Sequence, residues 1–107
     1  MFNLKLLSTS VIVILVSLIF VDTAYSATRS SSAAMVIKAK RCYDATPSSY
    51  RKSMLTSISR ALTHWNDGDK FSKMNNSQMA NWNFNTAQTY ADQVLQIGRA
   101  YRVTACN

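Results

Sequence analysis

The feature that most constrains this fold is a regular apolar pattern in the last third of the chain. From Ala80 to Ala105 the apolar and small residues step alternately by four and three positions. This spacing is typical of a helix face that packs against neighbouring helices. Its small members indicate that a neighbour approaches closely. We predict a long helix over 77–104, with Ser77 as its cap. The alternative is a shorter helix capped by Asn85.

The preceding residues also favour helices. Residues 27–107 contain only two glycines and one proline, and so few helix breakers argue against a many-turned β fold. A first apolar stripe predicts a helix over 32–43. Because short connections make consecutive helices antiparallel, we expect an all-α, up-down-up three-helix bundle that forms a single small domain over 27–107.

A second helix is predicted over 47–66. Thr46 is a favourable N-cap residue, and Pro47 then occupies the first helical position, where a missing N–H costs nothing. Gly68 follows Asn and Asp, and these residue types commonly close a helix in the left-handed conformation. We therefore expect this helix to end before Gly68, with a connector leading to the third helix.

Residues 1–26 have the pattern of a secretory signal peptide. Lys5 is followed by an apolar stretch over 11–21, and small residues stand at Ala24 and Ser26. We predict cleavage before Ala27, which would place the mature domain in a periplasm or an extracellular fluid. The alternative is an uncleaved membrane anchor, but the apolar stretch is about half the length that a bilayer span needs.

The chain contains two cysteines, Cys42 and Cys106. In an oxidising compartment, a domain of this size is often stabilised by a disulfide bond. Cys42 lies in the last turn of the first predicted helix, and Cys106 lies just past the third. The C-terminal ends of these two helices share one pole of an up-down-up bundle. We therefore predict a Cys42–Cys106 bond. Two free thiols are the alternative.

Residues 27–107 are strongly basic. They contain eleven Lys and Arg against four Asp, a net charge of +7. Seven of the cations are expected at the disulfide pole, and the sequence indicates that most of them form a surface for an acidic partner. Five of the seven lie near helix C-termini, where complementing the helix dipole is a sufficient alternative explanation. The predicted partner-binding cations are Lys40, Arg41, Arg51, Lys52, Arg99 and Arg102.

Aromatic residues are expected at the opposite pole, among asparagines. Trp82 falls beside the apolar face of the third helix rather than within it, so we expect part of its indole to be exposed. Trp82 and Phe71 are the candidate anchors for a protein partner. The alternative is that these aromatic rings form the lower half of the core.

The residues that support catalysis are scarce. Asp67 and Asp69 flank a glycine in a predicted turn, and His64, the one histidine, stands just before it as a residue of the last helical turn. A lone histidine with two bonded cysteines does not make a typical zinc site. We therefore predict a non-enzyme that has no metal and no cofactor. Asn75 begins a glycosylation sequon, and Lys40-Arg41 is a dibasic pair.

Three functions fit this pattern. The first is an exported, non-enzymatic binding protein of the inhibitor, immunity or exclusion type, which occupies the surface of an acidic partner protein. The second is a cationic protein that acts on an anionic membrane or envelope polymer, with nucleic acid a less favoured target. The third is a subunit of an exported structural assembly.

Overall fold

The structure is a computed structural model that describes residues 28–107, and these residues are helical with short connections. Helix α1 covers 28–45, α2 is a single turn over Ser48–Arg51, α3 covers Leu55–Lys73 and α4 covers Ser77–Ala100. A 3₁₀ turn, η1, follows over Thr104–Cys106. The all-helical prediction is confirmed for this part of the chain. The predicted signal peptide, residues 1–26, lies outside the described residues.

Helix α1 runs parallel to α4. Near its start the Ser32 hydroxyl donates to the Phe84 carbonyl oxygen at 2.8 Å, and near its end the Cys42 sulfur lies 3.7 Å from the Val94 carbonyl oxygen. Both pairs are separated by 52 positions, so the two helices advance together in the same direction. Ser32 is fully buried, and the Phe84 carbonyl oxygen supplies the hydrogen-bond acceptor that its buried hydroxyl needs.

Helix α3 runs antiparallel to α4. Ser57 contacts Gln93 at 3.1 Å, whereas His64, further along α3, contacts Asn83, which comes earlier in α4. Consecutive long helices therefore alternate in direction along the chain. This alternation brings the C-terminal ends of α1 and α4 to one end of the molecule.

The core lies along the predicted apolar face of α4. The small residues of this face leave room for α1 and α3 to approach, and the bulk comes from Phe84 and from Met54 of the turn before α3. The last buried residue of this apolar face is Gly98. The helix ends at Ala100, so Tyr101, the next position of the predicted face, is exposed. The buried residues of α4 are Ala80, Asn83, Phe84, Ala87, Ala91, Val94, Leu95 and Gly98.

The predicted disulfide is confirmed. Cys42 and Cys106 are bonded, with their Cα atoms 4.6 Å apart and both residues fully buried. The bond lies directly over Gly98, where an added Cβ would overlap the Cys106 sulfur and lie 2.5 Å from that of Cys42. Gly98 is therefore a position of close approach, and it allows η1 to fold back onto α4.

The predicted cap of the second helix is wrong. The Thr46 hydroxyl donates to the Cys42 carbonyl oxygen at 2.7 Å, so this buried residue closes α1 rather than opening the next helix. Pro47 is the cap of α2, which ends after one turn. A turn over 52–54 then follows, in which Met54 N–H bonds to Arg51 O at 2.9 Å. The fully buried Met54 side chain anchors this break.

The predicted end of the second helix, at residue 66, is also wrong, because α3 continues through Gly68 to Lys73. Gly68 is a packing position rather than a terminator, since an added Cβ there would lie 2.6 Å from the Phe84 ring. The helix is terminated instead by Asn75, two residues beyond its last residue, whose φ of 58° is left-handed. The Asn76 N–H bonds back to Phe71 O at 2.9 Å, which completes a Schellman motif.

Helix α4 is one long helix that begins at Ser77 and not at Asn85. Its cap is Asn76, whose side chain accepts from the Met79 N–H at 3.2 Å, rather than Ser77. The helix ends at Ala100, before the predicted residue 104. Beyond it Arg102 has a φ of 61° and turns the chain back, so that Cys106 reaches Cys42.

Helix α1 is already formed at residue 28, before the predicted start at residue 32. An ion-pair cluster holds the first described turn of α1 to α3. Arg29 contacts Asp69 at 2.9 Å, and Lys73 contacts the same carboxylate at 3.1 Å. Hydrogen bonds from Arg29 and then from Lys73 hold the pKa of Asp69 below its ordinary value. The guanidinium of Arg29 also lies 5.4 Å from the centre of the Trp65 ring.

We expect the contribution of Asp69 to stability to depend on pH. Because its pKa is lower in the folded protein, that contribution is present above the pKa of an unfolded Asp, about 3.9, and is lost as the pH falls through the folded value. Thermal unfolding of the wild type and Asp69→Asn should show a higher Tm for the wild type near pH 7. The difference should shrink on acidification to about pH 2. A difference that grows on acidification would contradict the ion-pair assignment.

Gly98→Ala should destabilise the protein by about 1–3 kcal/mol, because the new methyl group collides with the disulfide in a packed site. Alanine normally stabilises a helix interior relative to glycine, so the sign of the change is diagnostic. Urea unfolding measures it, and titration with a dithiol should show easier reduction of Cys42–Cys106. Gly68→Ala is the matched control: it should destabilise through the Phe84 ring and leave disulfide reduction unchanged.

Candidate functional site

The end of the molecule that carries the disulfide, here called the disulfide end, gathers the predicted cations. It comprises the last two turns of α1, the single turn of α2 with the turn that follows it, the last turn of α4 with the turn that follows it, and η1. The disulfide joins the first and last of these segments. The Tyr101 hydroxyl lies 3.4 Å from the Ser53 hydroxyl, which brings in the turn after α2. The cations on these segments are Lys38, Lys40, Arg41, Arg51, Lys52, Arg99 and Arg102.

Arg51 is committed to the chain itself. Its Nε donates to the Thr46 carbonyl oxygen at 2.8 Å, and its Nη2 donates to that of Asp44 at 3.0 Å. Its guanidinium also lies 5.6 Å from the centre of the Tyr43 ring. These contacts hold the connection between α1 and α2, so the donors of this predicted partner-binding residue point inward.

Two other predicted cations also have partners within the protein. Lys40 forms an ion pair with Asp44 at 2.7 Å, one helical turn along α1. Arg99 donates from Nε to the Cys106 carbonyl oxygen at 2.9 Å, which fastens η1 to the end of α4. Both side chains therefore have a partner within the protein, in agreement with the alternative that such cations need no external partner.

The other three predicted cations are exposed. The side chains of Arg41, Lys52 and Arg102 make no ion pair or hydrogen bond with any residue between 28 and 107. They belong to α1, to the turn after α2 and to the turn after α4, so they approach the disulfide end from three segments. Asp44, the acidic side chain of these segments, is already paired with Lys40. This end is therefore positively charged and open to a ligand.

Two tyrosines at the same end were missed by the sequence pattern. The rings of Tyr50 and Tyr101 are stacked, with centroids 4.3 Å apart and planes 9° from parallel. They are 43% and 41% exposed. The apolar periodicity assigns both to the core, whereas both lie beyond the ends of the buried faces. Their positions in the sequence offered a signal that they lie near the cations: Tyr50 stands two residues before Lys52, and Tyr101 stands next to Arg102.

The two predicted aromatic anchors do not lie with the cations. Trp82 precedes Gly98 by sixteen residues of one helix, which is about 24 Å along its axis. It is 56% exposed, as expected from its place beside the apolar face. Phe71 is half-buried near the C-terminal end of α3, far from the disulfide end. The predicted cations and the candidate anchors therefore lie in two separate regions, in line with the expectation that the aromatic residues stand at the opposite pole.

His64 lies in the middle of α3 and not in its last turn, because the helix continues beyond it. Its Nδ1 is 3.0 Å from the Asn83 side-chain oxygen, and the amide nitrogen of Asn83 donates to the Met79 carbonyl oxygen at 2.9 Å. That second bond fixes the orientation of the amide, so Nδ1 carries a proton in the neutral ring. The imidazole stacks on Tyr90 at 5.7 Å and meets Trp82 edge-on at 5.6 Å.

Between residues 28 and 107, no group of three or more His, Cys, Asp or Glu side chains is placed to hold a metal ion. Within the same range, no helix is both long enough and apolar enough to cross a membrane. No protein-family model, curated protein or solved structure matches the chain. The site is therefore interpreted from its own geometry.

Arg51 and Lys52 are neighbours with different roles, and this predicts different effects on stability. Arg51→Ala should lower the free energy of unfolding by about 1–2 kcal/mol, because two charge-assisted hydrogen bonds to backbone carbonyls are lost. Lys52→Ala should change it by less than about 0.5 kcal/mol, as is usual for an exposed residue. Urea unfolding of the two variants is the measurement. Equal effects would show that the contacts of Arg51 are not stabilising.

Proposed function

We propose that this chain is an exported, non-catalytic binding protein that docks its disulfide end onto an acidic surface of a partner protein. The observation that supports this most directly is that the exposed cations Arg41, Lys52 and Arg102 and the stacked pair Tyr50–Tyr101 belong to the same end of the molecule. Charges supply attraction and orientation, and tyrosine rings supply contact area. Tyr and Arg are the residue types that contribute most to binding energy at protein interfaces.

Export is part of this proposal. The sequence of residues 1–26 has the signal-peptide pattern, and a buried disulfide is typical of a protein that folds in an oxidising compartment. The bond suits the proposed role, because it holds the segments that carry the free cations in one arrangement before binding. A binding surface that is ordered in advance loses less conformational entropy on association.

A protein partner is favoured over an anionic membrane or polymer by the tyrosine pair. Clustered Lys and Arg alone would bind any polyanion, with strong salt dependence. Two flat rings stacked on each other form a rigid, shaped surface that a diffuse polyanion does not require. The free cations are also few, so electrostatic steering should raise the association rate more than it sets the final affinity.

The test uses two charge reversals that are matched in size and exposure. Lys52→Glu lies at the disulfide end, and Lys70→Glu lies near the C-terminal end of α3. Neither lysine side chain forms an ion pair or hydrogen bond with a described residue. A tagged chain is used to recover partners from the exported fraction of the source cells at low and high salt. Binding of the recovered partner is then measured for each variant.

Lys52→Glu should weaken binding about tenfold, or about 1.4 kcal/mol, mainly through a slower association rate. Lys70→Glu should leave the affinity within about twofold. Equal loss in both variants would mean that net charge alone drives binding, which contradicts a defined docking surface. Retention on phosphatidylserine vesicles or on an anionic polysaccharide, with no stoichiometric protein partner, would overturn the proposal in favour of a membrane or polymer target.

A further inference from the structure

A second surface lies on the outward side of α4, away from the disulfide end. It is a groove of about 360 Å³ that follows the helix from Trp82 toward its C-terminal end. In a chain with a net charge of +7, this groove is lined entirely by uncharged side chains. The lining residues are Trp82, Asn85, Thr86, Thr89, Tyr90 and Gln93.

Two aromatic rings mark the groove, and both are held in place by α3. His64 meets Trp82 edge-on and stacks on Tyr90 with planes 7° from parallel. The Arg60 guanidinium, also from α3, lies 5.6 Å from the centre of the Tyr90 ring. Since the imidazole is itself bonded to Asn83, the Trp82 indole rests against a fixed neighbour although it is 56% exposed. The rings are therefore oriented before any ligand arrives.

The floor between the rings offers hydrogen-bonding groups. The hydroxyls of Thr86 and Thr89 donate to the carbonyl oxygens one turn back, at 2.7 and 3.1 Å, so their oxygen lone pairs remain available as acceptors. The Asn85 side chain makes no hydrogen bond with a described residue. The Gln93 side-chain oxygen accepts from Ser57 at 3.1 Å, which leaves its amide N–H groups as donors.

We propose that this groove binds a neutral oligosaccharide chain. A sugar ring combines a C–H face, which can cover an exposed indole, with a rim of hydroxyls that both donate and accept. Fixed aromatic rings beside amides and hydroxyls match those two properties, and the lack of charge in the groove disfavours an ionic ligand. Trp82 and Tyr90 are eight residues apart on one helix, a span of about 12 Å, which suits a short chain better than a single sugar.

Three neutral tetrasaccharides serve as probes: chitotetraose, cellotetraose and maltotetraose. Each is titrated into the full mature chain while amide and indole resonances are followed by NMR. At least one should shift the Trp82 indole resonance and the backbone amides of 85–93, with a Kd on the order of 1 mM or tighter. Trp82→Ala should weaken that binding at least about tenfold. Tyr101→Ala, which removes an exposed ring at the disulfide end, should leave it unchanged.

The dispersion of the amide resonances shows whether each variant is folded, and the exposed position of Trp82 makes unfolding of its alanine variant unexpected. Asn85→Leu keeps both rings but removes a hydrogen-bonding group, and it should weaken binding severalfold. Absence of shifts in the groove with all three sugars at about 10 mM would overturn the proposal. So would binding that Tyr101→Ala abolishes and Trp82→Ala does not.

Discussion

The bond between Cys42 and Cys106 across Gly98 is the interaction on which the arrangement of this molecule depends. It closes a sequence separation of 64 residues, for which a chain-entropy model gives about 4 kcal/mol of stabilisation. It also fastens the C-terminal end of α1 to the segment that follows α4, at the pole where the alternating helix directions bring these two ends together. The free cations that we propose as the partner-binding surface come together for this reason, although they are far apart in the chain.

A face of small residues along α4 has a second consequence. Where Ala80, Ala87 and Ala91 face the neighbouring helices, there is little space for large rings inside the molecule, and Phe84 fills much of it. Tyr50, Tyr101 and Trp82 stand at the surface, in two groups with different surroundings. The tyrosine pair lies at the end that carries the free cations, whereas the indole of Trp82 lines a groove with amide and hydroxyl side chains. These two environments favour different ligands, which is why we assign them separate functions.

The arginines and lysines of the disulfide end show how a charge pattern divides into structural and available groups. Arg51 and Arg99 direct their donors to backbone carbonyls that would otherwise lack partners near chain turns. Arg41, Lys52 and Arg102 have no such contacts among the described residues. The composition of the chain does not distinguish these five cations. The hydrogen-bond distances of their side chains divide them into structural and available groups, and they also explain why a charge reversal at position 51 would test folding rather than binding.

Periodicity and covalent chemistry within the sequence were enough to predict helices, the long α4, its packing face and the disulfide, because each depends on residue spacing or on a single pair. The limits of α3 could not be predicted in that way: Thr46 and Gly68 are residue types that begin and end helices, yet here one bonds back to α1 and the other receives the Phe84 ring. The candidate site was likewise predicted only in part. Cations at a common pole followed from topology. The stacked tyrosines, the inward arginines and the rings fixed beside the groove on α4 were decided by tertiary packing, since each depends on contacts between residues of different structural elements.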